Sequence, residues 1–212
     1  ILVAAGLTPF LHGAIVAANR ARADAARIAL ASQRLRLAAE KLEAREPLEA
    51  LALADTVTQP DEPLARAHFL AGRALAALLR PAAARWARAY ALGVRSADPS
   101  ERDSAAWALL EIARTQPPDR ARAAFRTLLA RFPRSPSVPK ARLGLAAAEE
   151  SLGDFEAALA DFDEALPKLD GEDRARAQES IDVLSSLRPA VERDVPQGSI
   201  AFGDVDGDGR AD

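Results

Sequence analysis

The chain has 212 residues, 49% of them hydrophobic but only 5% aromatic, and a formal charge of −3. That length holds one or two domains around a buried core, and the near-balanced charge gives no electrostatic case for a nucleic-acid partner. With no cysteine, disulfides and thiolate chemistry are excluded, while the redox compartment stays open.

The hydrophobic share is mostly Ala and Leu. These residues enter helices at least cost, and Ala lets helices approach closely, so the expected fold is all-α. Met is absent even at position 1; the chain is therefore expected to be a processed or truncated piece of a longer product. Its Ala and Arg richness points to a GC-rich bacterial genome.

Residues 1–23 read as a hydrophobic helix. Ile1 to Ala18 carry no charge, and a helix of that length spans about 27 Å against the ~30 Å hydrocarbon core of a bilayer. Pro9, His12, Gly6, Thr8 and Gly13 interrupt it, and Asn19-Arg20-Ala21-Arg22 follows as at a membrane edge. A membrane anchor, a buried core helix and an uncleaved signal segment ending near Ala21-Arg22-Ala23 are the competing readings. His12 is a polar group in an apolar segment; a neutral imidazole bonded to a neighbouring helix is the simpler reading.

Residues 24–188 read as successive helices. Tight turns are expected at Glu46-Pro47, Arg80-Pro81, Pro117-Pro118 and Gly153-Asp154. Looser breaks fall at Gln59-Pro60, Ala97-Asp98-Pro99, Phe132-Pro133 to Pro139, and Leu169-Asp170-Gly171. Proline is tolerated there because first-turn amides have no partner within the helix. A unit of Leu145-Ala146, Gly153-Asp154-Phe155, Ala158, Phe162, Ala165 and Leu166 repeats backwards in steps of 37, 37 and 34 residues. Those steps land on Ala108-Leu109 with Ala121 and Phe125, then Ala71-Gly72 with Ala84 and Arg88, then Leu37-Ala38 with Ala50 and Ala54. Such a period marks stacked helical hairpins, each covering the apolar face its neighbour cannot bury alone. Ala50, Ala84, Ala121 and Ala158 are the expected close crossings, and Phe155 and Phe162 are expected to be buried against a helix over Glu172 to Leu187.

The stretch LAAAEESLGDFEAALADFDEAL, Leu145 to Leu166, resembles a tetratricopeptide repeat. The unit RAAFRTLLARFPRSPSVPKARLGLA resembles such repeats in bacterial envelope proteins. The large aromatic expected early in each first helix is missing, and Arg88 stands where the last unit has Phe162. The resemblance implies a tetratricopeptide-like helical-hairpin solenoid of about four pairs plus a capping helix, with the hydrophobic helix before it and an irregular tail after. It implies a scaffold for protein–protein interaction, whose first helices line a groove. Arg66 and Arg73, seven apart on one such helix, then face the groove, where acidic peptide segments would be held. They belong to a run of six arginines with no acid between Pro63 and Ala97; faces that pair between neighbouring repeats or protomers are the other reading of that run. Trp86 and Tyr90 read as core residues, and His68 as a surface or groove residue.

Residues 189–212 form a linker and a last motif, IAFGDVDGDGRAD. Asp204, Asp206, Asp208 and Asp212 stand at positions 1, 3, 5 and 9 of a loop, with Gly209 at 6. Alternate carboxylates in a tight loop can converge on Ca²⁺, Gly209 allows the bend, and Arg210 would offer its carbonyl. The motif resembles the calcium loop of an FG-GAP repeat, as in integrin-like β-propellers. The resemblance implies a propeller continuing beyond Asp212 and Ca²⁺ as its ligand; a solvated acidic tail is the other reading of the same residues.

No phosphate loop, nucleophile elbow or histidine-rich metal motif is present, and nothing in the sequence places a pair such as Glu149-Glu150 in a pocket. A non-enzymatic, membrane-tethered, periplasmic scaffold is the leading expectation. The extracytoplasmic sensor region of a membrane serine/threonine kinase and a structural subunit of a larger membrane complex are the alternatives. Arg20, Arg22, Arg27, Arg34 and Arg36 after the apolar segment oppose the periplasmic side, since positive flanks stay cytoplasmic.

Overall fold

The computed structural model describes residues 4–58 and 64–194, with side chains over 13–58 and 64–186. The described residues form helices and turns with no strand. In chain order the helices are α1 (Ala4–Glu43), α2 (Pro47–Asp55), α3 (Ala65–Ala77), α4 (Ala83–Gly93), α5 (Pro99–Arg114), α6 (Pro118–Arg131), α7 (Val138–Ser151), α8 (Phe155–Ala165) and α9 (Gly171–Asp194). A single 3-10 turn, Leu166–Lys168, links α8 to α9.

The four tight turns fall where proline and glycine placed them. Pro47, Pro99, Pro118 and Pro139 all occupy first-turn positions, where a missing N–H costs no hydrogen bond. Pro139 therefore lies inside α7 rather than in the break before it. Asp98 caps α5, its carboxylate accepting from the Ser100 N–H at 2.8 Å.

Three of the turns share one geometry. Arg45, Leu79 and Gly153 are left-handed, at φ 61, 56 and 78°. The next residue in each case donates back over the turn: Glu46 to the Lys41 carbonyl at 2.8 Å, Arg80 to Leu75 at 2.8 Å, and Asp154 to Glu149 at 2.9 Å. This six-to-one bond satisfies a carbonyl the helix end leaves open.

Each helix packs on its sequence neighbours, and each odd-numbered helix also touches the next odd one: α1 on α3, α3 on α5, α5 on α7, α7 on α9. Even-numbered helices share no comparable contact with one another. The odd helices thus make a continuous layer, and each even helix from α2 to α8 covers a junction in it.

The buried residues of the even helices follow one spacing. Ala121, Phe125, Leu128 and Phe132 are buried, as are Ala158, Phe162, Ala165 and Leu169. The set from α4 is Ala82, Trp86, Ala89 and, as a backbone crossing, Gly93. Ala84 is exposed, so the sequence register for α4 was two residues out, and Trp86, not Arg88, takes the place of Phe162. The left-handed Leu79 stands three residues before Ala82, whereas Gly153 stands five before Ala158, so α4 meets the core two residues sooner after its turn. Gly72 makes room for it, because a Cβ there would collide with the Trp86 indole.

Phe162 is 1% exposed and joins Ala177 and Leu184 of α9 in one core. Phe155 is 44% exposed, contrary to expectation. It opens α8 at the turn, while the α9 residues of this core gather round Phe162.

α1 runs unbroken through the expected boundary at 23, and its side chains from 17 to 30 are all exposed. Among its described side chains only the last third of α1 enters a core, through Leu35 and Ala38, with Leu42 packed alongside. Among the described residues no helix is long and apolar enough to cross a membrane. The helical backbone of α9 continues past 188 to Asp194.

Candidate functional site

α3 carries the two arginines singled out by sequence. Arg73 is exposed and Arg66 half-buried. Helix α3 has no side-chain cap of its own. Instead Glu101, on α5, reaches its N-terminus, where Oε2 accepts from the Arg66 N–H at 3.3 Å. A carboxylate at a helix N-terminus meets unpaired N–H groups and the positive end of the dipole. Burial nevertheless raises the Glu101 pKa, and the Arg66 and Ala65 amides oppose that rise.

His68, expected at the surface or in the groove, is buried at 9% exposure. Arg85 of α4 lies between it and α2, donating to Asp55 Oδ1 at 2.7 Å and approaching His68 Nδ1 at 3.4 Å. A guanidinium only donates, so Nδ1 is the acceptor and the ring proton sits on Nε2. Burial, then Arg85 and Arg88, lower the His68 pKa against the pull of Asp55. Asp55 thus answers part of the arginine run: the acid missing from α3 and α4 is supplied by α2.

The other buried charge is Glu149 on α7, 1% exposed. Its Oε1 accepts from Arg126 of α6 at 2.8 Å, while Oε2 is buried with no hydrogen-bond partner. Burial raises its pKa more than Arg126 lowers it, with Asp161 and Asp154 adding to the rise. Its neighbour Glu150 is half-buried.

A cavity of about 290 Å³ opens where α5 and α7 touch only briefly, and α9 closes its far side. Phe125, Leu143 and Phe162 form its floor, and Arg114, Lys140 and Arg176 stand among its lining. Its walls are small residues, Ala113, Gly144 and Ala147 among them. Gly144 has a structural reason, since a Cβ there would collide with the Phe125 ring. No carboxylate belongs to the lining. Lys140 pairs with Asp173 at 3.2 Å and Arg114 with Glu111 at 3.6 Å. Arg176 has no ion pair among the described residues.

Sequence reasoning missed Lys140 and Arg176. The signal for Lys140 was present: two 37-residue steps carry Arg66 to Lys140 and Arg73 to Ala147. For Arg176 there was none, because α9 lies beyond the last repeat step. The cavity does not include Arg66 or Arg73. Asp204, Asp206, Asp208, Arg210 and Asp212 lie outside the described residues, as does the side chain of His12. Among the described residues no three His, Asp or Glu side chains gather closely enough to hold a metal ion.

No family model matches the chain, and no curated protein matches it.

Proposed function

We propose that the chain is a non-enzymatic, tetratricopeptide-like scaffold that holds a protein partner on the face made by its odd-numbered helices. The observation behind this is the asymmetry of the packing. Odd helices contact each other in succession and even helices do not, which is the arrangement of hairpins stacked in one direction. The shared left-handed turns at Arg45, Leu79 and Gly153 support the same reading, being spaced as the sequence units are. Stacking of this kind leaves one extended face for a partner, and Arg73 and Ala147, both exposed on odd-numbered helices, are the residues assigned to it.

Site-specific photo-crosslinking in the native cell tests this. A benzophenone side chain at Arg73 or Ala147 should trap a discrete protein product. The same probe at Thr127 or Ala160, exposed on even helices, should not. Products from Thr127 and Ala160 with none from Arg73 and Ala147 would overturn the assignment of the face.

A further inference from the structure

We infer that the edge of the molecule carrying its tight turns is a contact surface for a second copy of the chain. Leu79 and Arg80 of one copy meet Leu152, Phe155 and Glu156 of the other, and the reverse, about a two-fold axis at the α5–α6 turn. This edge is separate from the face made by the odd-numbered helices, and contact there leaves that face open.

The tight turns share one edge because successive helices alternate in direction while the odd ones lie side by side. Leu79 at the α3–α4 turn, and Leu152 and Phe155 at the α7–α8 turn, are large apolar side chains exposed there. Leu79 is the most telling of them. It is left-handed, at φ 56°, which strains a leucine, and it is almost wholly exposed, so the chain recovers nothing by burying it. Strain held at an exposed position points to a contact made there. Cover by another surface would offset it, since each buried apolar side chain contributes to association.

Charge identifies what covers it. From Pro63 to Ala97 there are six arginines and no acid, whereas from Leu143 to Pro167 there are seven acids and no cation. The first run makes up α3 and α4, the second α7 and α8, and the α5–α6 pair lies between them. A two-fold axis through the α5–α6 turn exchanges the two, so the basic pair of each copy faces the acidic pair of the other. Arg80 and Glu156 stand beside the apolar residues, both exposed, and neither has an ion pair among the described residues.

Residues on the axis meet themselves, and like charges there would repel. The residues at that place are Thr115, Gln116, Pro117 and Pro118, all uncharged. Leu48, exposed at the α1–α2 turn, falls opposite α9 rather than another tight turn, which puts it outside the paired set. Three helix pairs at 8–10 Å per packed layer give a contact about 20–30 Å long. That is small for a stable dimer, so the expected dissociation constant is micromolar and rises with salt.

Sedimentation equilibrium of the full chain from about 1 μM to about 1 mM tests this. A monomer–dimer equilibrium is expected. Leu79→Ser and Phe155→Ser should each weaken it by roughly tenfold or more, as loss of a central contact does. Leu79→Gly should weaken it as well while making the monomer more stable, which separates lost contact from lost folding. Leu48→Ser should change it by less than about twofold. Arg80→Glu and Glu156→Arg should each weaken it by opposing like charges at both contacts. Mixed in equal amounts, those two variants should pair with each other at close to the original affinity, because each then meets its opposite. A chain monomeric throughout the range overturns the inference, as does a dimer insensitive to Leu79→Ser and Phe155→Ser. A mixture that fails to restore association overturns the two-fold pairing. A monomer that instead binds anionic phospholipid vesicles through Leu79 would assign the edge to a lipid surface and overturn the inference too.

Discussion

Leu79 and Gly153 hold the same place in two helix pairs. Both are left-handed, at φ 56 and 78°, and both precede a residue that donates back across the turn at 2.8–2.9 Å. Glycine takes this conformation freely, whereas a leucine there strains its Cβ against the backbone by about 1–2 kcal/mol. Leu79 is 95% exposed, so its side chain returns nothing through burial. Leu79→Gly is expected to raise stability by about 0.5–1 kcal/mol, the strain relieved less the added freedom of the unfolded chain. Gly153→Ala should lower it by about 1 kcal/mol. Urea midpoints at unchanged slope measure both.

Gly144→Ala should destabilise the chain by about 1–3 kcal/mol through overpacking. The added methyl would meet the Phe125 ring, which is itself buried at 2% exposure and has little room to move. Adding Phe125→Leu should recover part of the loss, and a double-mutant cycle by thermal or urea unfolding would show the coupling. Strict additivity would mean the two residues are not in register.

Phe162→Ala should cost about 3–5 kcal/mol, the loss for a fully buried aromatic. Phe155→Ala should change stability by less than about 1 kcal/mol, since its ring is largely in solvent. Equal losses in the two variants, read from denaturation midpoints, would contradict the packing of α8 against α9.

Glu149 makes stability depend on pH in a definite direction. Burial raises its pKa in the folded state above the ordinary 4.5. Between those two values the native state binds the proton and the unfolded state does not, so stability falls as pH rises through that window. Glu149→Gln removes this term. The stability of the original chain relative to the variant should therefore decline from pH 4.5 upward and level off above the raised pKa. A relative stability that instead rises with pH would mean that Arg126 outweighs burial. His68 acts in the opposite sense, because its pKa is lowered: its contribution is lost as pH falls below the ordinary imidazole value.

Much of this architecture is local chemistry, and local chemistry is readable in the chain. Pro47, Pro118 and Gly153 act through their own backbone, and the turns came where those residues stand. The buried spacing of Ala158, Phe162 and Ala165 is a periodicity, so it too was visible. The shift of Trp86 into the place of Phe162 was not. It depends on how far α4 slides after Pro81, and on Gly72 lying opposite, which are distances between helices.

The charges divide the same way. Arg66 and Arg73 could be put on one helix face by counting, since seven residues make two turns. That α3 takes its capping carboxylate from Glu101, thirty-five residues on, follows from the contact of α3 with α5. The same holds for His68, which by sequence is a surface or groove residue and which Arg85, held by Asp55, approaches at 3.4 Å. By itself the sequence determined helices and turns, because each is set by a residue and its near neighbours. Only the tertiary structure decided which charges are buried, where α5 and α7 part, and that Lys140 and Arg176 meet at one cavity. Those are outcomes of interhelical distance, which side-chain volumes set collectively and no single segment contains.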